Sequence, residues 1–327
     1  VRGPITVSTL READRFAAAG WRDITYAVGF TPNKAGHARR LIEQGVDLTV
    51  IVDSVAAAQA LVQTVGARPA PRPLRVLIEI DTDGQRAGLA AQDPALLAVA
   101  EVLADPAATP GLCLDGVLTH CGGSYHCHGG AALEAMAEQE RAGAVAAAER
   151  LRAAGHAVPV VSVGSTPTAL FARALPGVTE VRAGVYVFMD LMMAALGVCQ
   201  PEEIALSVLT SIVGRREDKG WVLVDAGWMA LSRDPGLSGE FANTGLGLVC
   251  DEKGRLLPDY LVIGANQEHG IVAHRSGDPA HALELPIGSQ LRILPNHACA
   301  TAAQHEVYQV LDEAGRPGPR WPRFGGW

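Results

Sequence analysis

Residues 23–65 read DITYAVGFTPNKAGHARRLIEQGVDLTVIVDSVAAAQALVQTV, and their rhythm decides the fold. Two β-branched runs, 23–28 and 47–52, are each followed by an amphipathic, alanine-containing stretch, 34–44 and 54–65. Short apolar runs rich in Val, Ile and Thr suit strands, whereas apolar positions recurring every three or four residues suit helices. Strand and helix in alternation imply a parallel sheet with helical crossovers. The unit recurs on both sides: 5–9 with 10–19, 75–80 with 94–104, 114–120 with 131–154, 158–163 with 166–174, and a last strand at 179–182. That makes seven strands, one fewer than a closed (β/α)8 barrel needs. The expectation is an α/β, TIM-type (β/α)8 barrel whose first strand is missing from this chain, with an open seven-stranded sheet as the alternative.

From about residue 205 the pattern changes. IALSVLTSIV, GWVLVDAG, GLGLVC, YLVIGA, HGIVAH and SQLRIL are strands separated by turn signals such as DEKG and SGDP, with few helical stretches. A second, antiparallel β domain is expected over 201–327, after the 1–200 barrel, with TAAQHEVYQVL (301–311) closing it as a helix.

The composition narrows the function. A chain of 327 residues, 48% of them hydrophobic, can bury a large core. Its net charge of −8 argues against nucleic acid or an anionic membrane as the main partner, and favours small-molecule chemistry. The most apolar stretch, VYVFMDLMMAALGVC (185–199), is too short for a membrane span and is broken by Asp190. Six scattered cysteines are too sparse for a disulfide scaffold and fit a reducing, cytoplasmic setting. The opening VRGPITVSTL has neither a methionine nor a signal pattern, so a chain cut from a longer one is expected.

In parallel α/β folds the chemistry collects at the C-terminal ends of the strands. Four consecutive ends here are polar. EIDTDGQRAG places Arg86 beyond one strand; THCGGSYHCHGG places His120 at the next; SVGSTPTA opens a helix with hydroxyls and free N–H groups; EVRAGVYVFMD offers Arg182, Gly184 and Tyr186. Each has a structural reading: GSTPT is also an ordinary helix cap with proline in the first turn, the arginines also suit ion pairs, and His120 also suits a hydrogen-bonded core position. Together they could hold a planar phosphorylated molecule, since helix N-termini bind phosphate. Near the C-terminus, PNHACAT (295–301) sets His297 and Cys299 two apart; on a strand both leave one face, roughly 6.6 Å apart along the chain. They are either a core pair or two metal ligands. HCGGSYHCH (120–128) is a rival metal cluster, although its spacing matches no standard zinc pattern.

The blocks LTHCGGSY, SVGSTPT, EVRAGVYVFMD, DAGWMALSRD, NQEHG and PNHACAT, in this order and spacing, resemble the pyridoxal-phosphate enzymes of the D-serine dehydratase and D-threonine aldolase family. More remotely they resemble the alanine racemase fold type. The resemblance implies pyridoxal 5'-phosphate as cofactor. His120 would stack on its ring, Tyr125 would line the ring pocket, and both would be catalytic positions. Ser165 or Thr166, with the backbone of Gly184 and Val185 before Tyr186, would hold the phosphate. Arg182 would face the ring nitrogen and Arg86 the phenolic oxygen. His297 and Cys299 would bind zinc, with manganese as the alternative; the aldolase branch typically has aspartate where this chain has Cys299, and a thiolate suits zinc.

The resemblance also implies a lysine that carries the cofactor, on a first barrel strand for which this chain shows no equivalent. Lys34, Lys219 and Lys253, the three lysines present, sit in polar helix-start or turn sequences. The expected function is therefore a lyase, provided the full protein supplies that lysine. It would convert D-serine or D-threo-3-hydroxyaspartate to a keto acid and ammonia, with a D-threonine-type aldolase as the alternative and a non-catalytic pyridoxal-phosphate-binding relative as a further one. A homodimer is implied only by likeness.

Overall fold

The computed structural model describes residues 4–66, 71–105, 109–236 and 243–325. The expectation attached to the first residues, Val1 to Gly3, lies outside them. The chain divides into two compact units, one running up to Ala183 and the other from Gly184 to Phe324.

The first unit is the alternating one. Strands β1 (Ile5–Val7), β2 (Asp23–Gly29), β3 (Asp47–Val52), β4 (Leu74–Ile80), β5 (Leu112–Thr119), β6 (Val160–Val163) and β7 (Glu180–Val181) lie parallel in sequence order. Helices α1 (Leu10–Ala18), α2 (Ala35–Glu43), α3 (Val55–Leu61), α4 (Ala95–Leu103), α5 (Gly130–Ala153) and α6 (Thr166–Phe171) form the crossovers. Among the described residues the sheet has seven strands and does not close on itself.

Strand alternation separates two faces. On β4, Leu74, Val76, Ile78 and Ile80 enter the large core shared with the helices, while Leu77 belongs to a small opposite-face cluster with Ile51 and Leu118. Arg75 and Glu79 share the parity of Leu77, so charged groups stand on that face. Fully buried leucines such as Leu41, Leu48, Leu61, Leu74, Leu96 and Leu103 supply the core, each worth ~1.5–3 kcal/mol over exposure.

The first α-helix of the second unit is α7 (Leu191–Ala195). Strands β8 (Val208–Arg216), β9 (Trp221–Val224), β10 (Leu248–Cys250), β11 (Leu256–Ala265), β12 (Gly270–His274) and β13 (Gln290–Leu294) close into an antiparallel barrel in the order β10-β11-β12-β9-β8-β13. Its interior holds Val208, Ile212, Val222, Val224, Val249, Val262, Val272, Leu291 and Ile293. Helix α8 (Trp228–Leu231) follows β9, and α9 (Ala298–Ala302) follows β13.

Two sequence expectations need correction here. Residues 301–311 are not one helix: α9 ends at Ala302, and β14 (Val307–Leu311) pairs antiparallel with β15 (Pro317–Pro322). The β-branched and aromatic residues Val307, Tyr308 and Val310 favour that pairing, and Tyr308 stands opposite Trp321. Nor do His297 and Cys299 share a strand. Strand β13 stops at Leu294, and the carbonyls of Pro295 and Asn296 accept from the first amides of α7, Leu191 (3.0 Å) and Met192 (3.1 Å), instead of a sheet neighbour. Among the described residues no helix is long and apolar enough to cross a membrane.

Candidate active site

The polar strand ends of the first unit are tied together by hydrogen bonds. His120 follows β5 and is half-buried; its Nδ1 lies 2.9 Å from the carbonyl oxygen of Gly164, which follows β6. If Nδ1 carries the proton and donates to that oxygen, Nε2 is left as an acceptor. Burial, foremost, and the nearby guanidinium groups of Arg86 and Arg182 hold the imidazole below its ordinary pKa, against the hydrogen bond to Gly164. His120 is thus kept neutral, with the ring of Tyr125 at 6.3 Å between centroids and tilted by 36°.

Gly164 is required where it stands. Its φ is +139°, and a Cβ there would lie 2.0 Å from the Arg182 carbonyl oxygen, closer than any side chain could approach. The next residue, Ser165, caps α6: its Oγ accepts from the Thr168 amide (3.3 Å) and lies 2.9 Å from Ser124 Oγ. Ser165 is therefore occupied by the protein itself. Thr166 differs, because its Oγ1 is buried and among the described residues has no hydrogen-bond partner. A buried hydroxyl left unpaired costs on the order of 1–3 kcal/mol, so an acceptor such as a phosphate oxygen fits at this position.

Arg182 follows β7. Its Nε donates to Ser162 Oγ (2.8 Å), its Nη2 to the Thr119 carbonyl, and Ser162 in turn donates to Glu180. Burial works against its charge, while Glu180, Glu140 and Glu79 favour it. Arg86 is exposed, close enough to Glu79 and His120 to influence both electrostatically. Gly184, Val185 and Tyr186 open the second unit in a short 3-10 turn, Val185–Val187, where Gly184 and Tyr186 are exposed.

One residue of the first unit carried no functional reading in the sequence. Glu140 on α5 is buried, and one oxygen accepts from the amides of Cys121 (3.0 Å) and Gly164 (3.0 Å), joining the ends of β5 and β6. Burial raises its pKa; hydrogen bonds from Thr168, Gly164 and Cys121 oppose that. The signal was present, because Glu140 falls in the buried stripe Leu133, Ala137, Ala144, Ala147, Leu151 of its helix.

In the second unit, His297 is the N-cap of α9 and Cys299 lies in its first turn. His297 Nδ1 stands 2.6 Å from Asp234 Oδ2. Hydrogen bonding with Cys299, foremost, and with Asp234 raises the imidazole pKa to about 9 against burial. Cys299 is exposed. Asp190, buried at the head of α7, fixes the loop: Oδ1 accepts from Met193 N (2.9 Å) and Oδ2 from Ala298 N (2.8 Å). An imidazole with one nitrogen held by a carboxylate beside a thiol is a donor set suited to zinc.

Among the described residues no three His, Cys, Asp or Glu side chains gather as a metal cluster, so the HCGGSYHCH reading finds no support. Cys121 and Cys127 are buried, and burial raises both thiol pKa values. Lys34 stands over the Tyr26 ring and Lys219 over the Trp221 ring, each at a helix-start or turn position, and Lys253 is exposed in a turn.

Comparison with known proteins identifies the family. The alanine racemase N-terminal domain matches residues 3–192, and the putative serine dehydratase domain matches 205–311. The D-threo-3-hydroxyaspartate dehydratase of Delftia sp. is 54% identical over 326 residues, 99% of this chain and 84% of that protein. A D-serine dehydratase of Dictyostelium discoideum is 30% identical, covering 94% of this chain and 79% of its own length. The solved structure of the Delftia enzyme superposes with a TM-score of 0.91 at 53% identity, over 99% of this chain and 84% of that one. Further structures of a D-threo-3-hydroxyaspartate dehydratase include a cysteine-to-alanine mutant in the metal-free form and a histidine-to-alanine mutant, the two positions being two residues apart, as His297 and Cys299 are. This chain belongs to the D-serine dehydratase family of lyases, with an alanine racemase-type N-terminal domain.

Proposed function

We propose that the protein is a pyridoxal-phosphate- and zinc-dependent dehydratase that converts D-threo-3-hydroxyaspartate to a keto acid and ammonia. The observation that carries this reading is the pair His297 and Cys299, with Asp234 behind the imidazole, in a chain 54% identical to a D-threo-3-hydroxyaspartate dehydratase.

The cofactor, when bound, supplies an electron sink that renders the substrate α-proton acidic. The chain's own part is to hold and orient it. The Thr166 hydroxyl would take a phosphate oxygen. His120 would lie against the ring with Tyr125 at its side, and Arg182 would face the ring nitrogen. Since an arginine stays protonated, it donates to that nitrogen and does not supply a proton to it. Arg86 would approach the phenolic oxygen. A zinc ion on His297 and Cys299 would keep open positions and supply Lewis acidity to a β-hydroxyl leaving group. Asp190 holds the backbone that carries both ligands.

The chelator-sensitive product assay tests this. Incubated with D-threo-3-hydroxyaspartate, the full-length protein should release keto acid and ammonia in equal amounts. Glycine and an aldehyde as the main products would replace the dehydratase reading by an aldolase one.

The phosphate assignment has its own test. Thr166→Val removes a hydroxyl that the cofactor-free protein does not use, so thermal stability without cofactor should be unchanged or slightly higher. Cofactor affinity should fall by about ten- to a hundredfold, the loss of one hydrogen bond to a charged group. Unchanged cofactor affinity would remove Thr166 from the phosphate site.

A further inference from the structure

We propose that Asp234 is a positioning residue for the metal: it holds the His297 imidazole by Nδ1, so that Nε2 is the nitrogen presented with the Cys299 sulfur. The inference rests on the metal reading above. The two residues lie 63 positions apart, yet their side chains meet at 2.6 Å.

The structure fixes both partners of that contact. Asp234 Oδ1 accepts from the Gly236 amide (2.8 Å), and the Asp234 amide donates to Ser232 Oγ (3.1 Å), so the carboxylate has one oxygen spent on its own loop and one aimed at the ring. That loop leaves α8 through Ser232, a non-glycine residue at φ +75°. Such backbone persists only where the surroundings enforce it. Here they do: Thr301 Oγ1, on α9, donates to the Leu231 carbonyl (2.8 Å), and His305 Nε2 lies 3.0 Å from the Ala230 carbonyl. The end of α8, from which the loop carrying Asp234 departs, is thereby pinned to α9 and the residues just after it. The imidazole side is held as well, through Asp190 on the Ala298 amide and the α7 amides on Pro295 and Asn296.

A carboxylate on the outer nitrogen of a ligating histidine fixes its tautomer and ring orientation and raises its basicity, and losing it typically costs about 10- to 100-fold in metal affinity or activity. Asp234 thus decides which face of the imidazole a metal meets, without touching the metal.

The test measures zinc and cobalt(II) affinity of the metal-free, full-length protein, with His297→Ala as the control that defines this site. Asp234→Ala should weaken binding about 10- to 100-fold, while Asp234→Asn, which keeps an acceptor oxygen, should fall between it and the wild type. At saturating cobalt, Asp234→Ala should shift the ligand-field bands as the imidazole turns, with the thiolate-to-cobalt band retained. Unfolding of the metal-free variants should match the wild type, separating ring positioning from general loosening. Wild-type binding that is abolished by His297→Ala yet unchanged by Asp234→Ala would overturn this inference alone. Wild-type binding indifferent to His297→Ala would overturn the metal reading and this inference with it.

Discussion

Replacing Cys299 by alanine should cut ammonia release from D-threo-3-hydroxyaspartate by about two to three orders of magnitude, with cofactor absorbance nearly unchanged. Hydroxide is a poor leaving group, and a Lewis acid on the departing oxygen supplies several kcal/mol of charge stabilisation. Each factor of ten corresponds to about 1.4 kcal/mol. The groups proposed to hold the cofactor, Thr166, His120 and Arg182, lie in the first unit, and His120 and Arg182 keep their own hydrogen bonds, so the spectrum need not follow the activity. Chelation of the wild type should reach the same floor, and zinc should restore the wild type only. Activity that survives complete metal removal would end the role given to His297 and Cys299.

The largest effect on stability is expected at Glu140. Glu140→Leu would strand the amides of Cys121 and Gly164, both of which now donate to one oxygen at 3.0 Å. Each buried donor without a partner costs about 1–3 kcal/mol. Against this, burial disfavours the Glu140 carboxylate, as its raised pKa records, so removing it returns part of the loss. A net destabilisation of roughly 2–4 kcal/mol is expected from these terms, read by urea unfolding of the cofactor-free protein. Glu140→Gln retains an acceptor oxygen and should lose less. The consequence reaches the site, because the Gly164 peptide is held by Glu140 at its N–H and by His120 at its carbonyl. Cofactor affinity should therefore fall with stability in Glu140→Leu. A variant as stable as wild type would show that these two amides find other partners.

The alternating half of the fold was legible because its strands repeat a simple physical pattern. On β4, for example, every second residue is aliphatic and meets the helices. The tail was misread because residues 301–311 satisfy both periods: Ala302, Ala303, Val307, Tyr308 and Leu311 can be drawn on a helical face, yet the chain pairs Tyr308 with Trp321 instead. What favours the hairpin is its partner strand, which a local window does not contain.

The chemistry-bearing residues were legible by type and order, less so by geometry. His297 and Cys299 were found through their spacing, but the geometry first assigned to them was a strand's. Pro295 and Asn296 give their carbonyls to α7, about a hundred residues earlier in the chain, and so the pair sits on a helix start. Asp190 and Asp234 lie within the blocks EVRAGVYVFMD and DAGWMALSRD, yet their contacts with the 297–298 loop are tertiary and invisible to spacing. The resemblance offers Ser165 and Thr166 alike as phosphate ligands. The structure separates them, since Ser165 is engaged with Thr168 and Ser124 whereas Thr166 Oγ1 has no partner among the described residues.

The central claim is that one metal ion binds the imidazole of His297, at the N-cap position of α9, and the thiolate in its first turn. Anomalous diffraction at the zinc edge, from crystals of the zinc-loaded full-length protein, tests it most directly. The account predicts a single strong peak about 2.0–2.1 Å from His297 Nε2 and about 2.3 Å from Cys299 Sγ. A peak among His120, Cys121, His126, Cys127 and His128, or one bound through His297 Nδ1 in place of Asp234, would contradict it.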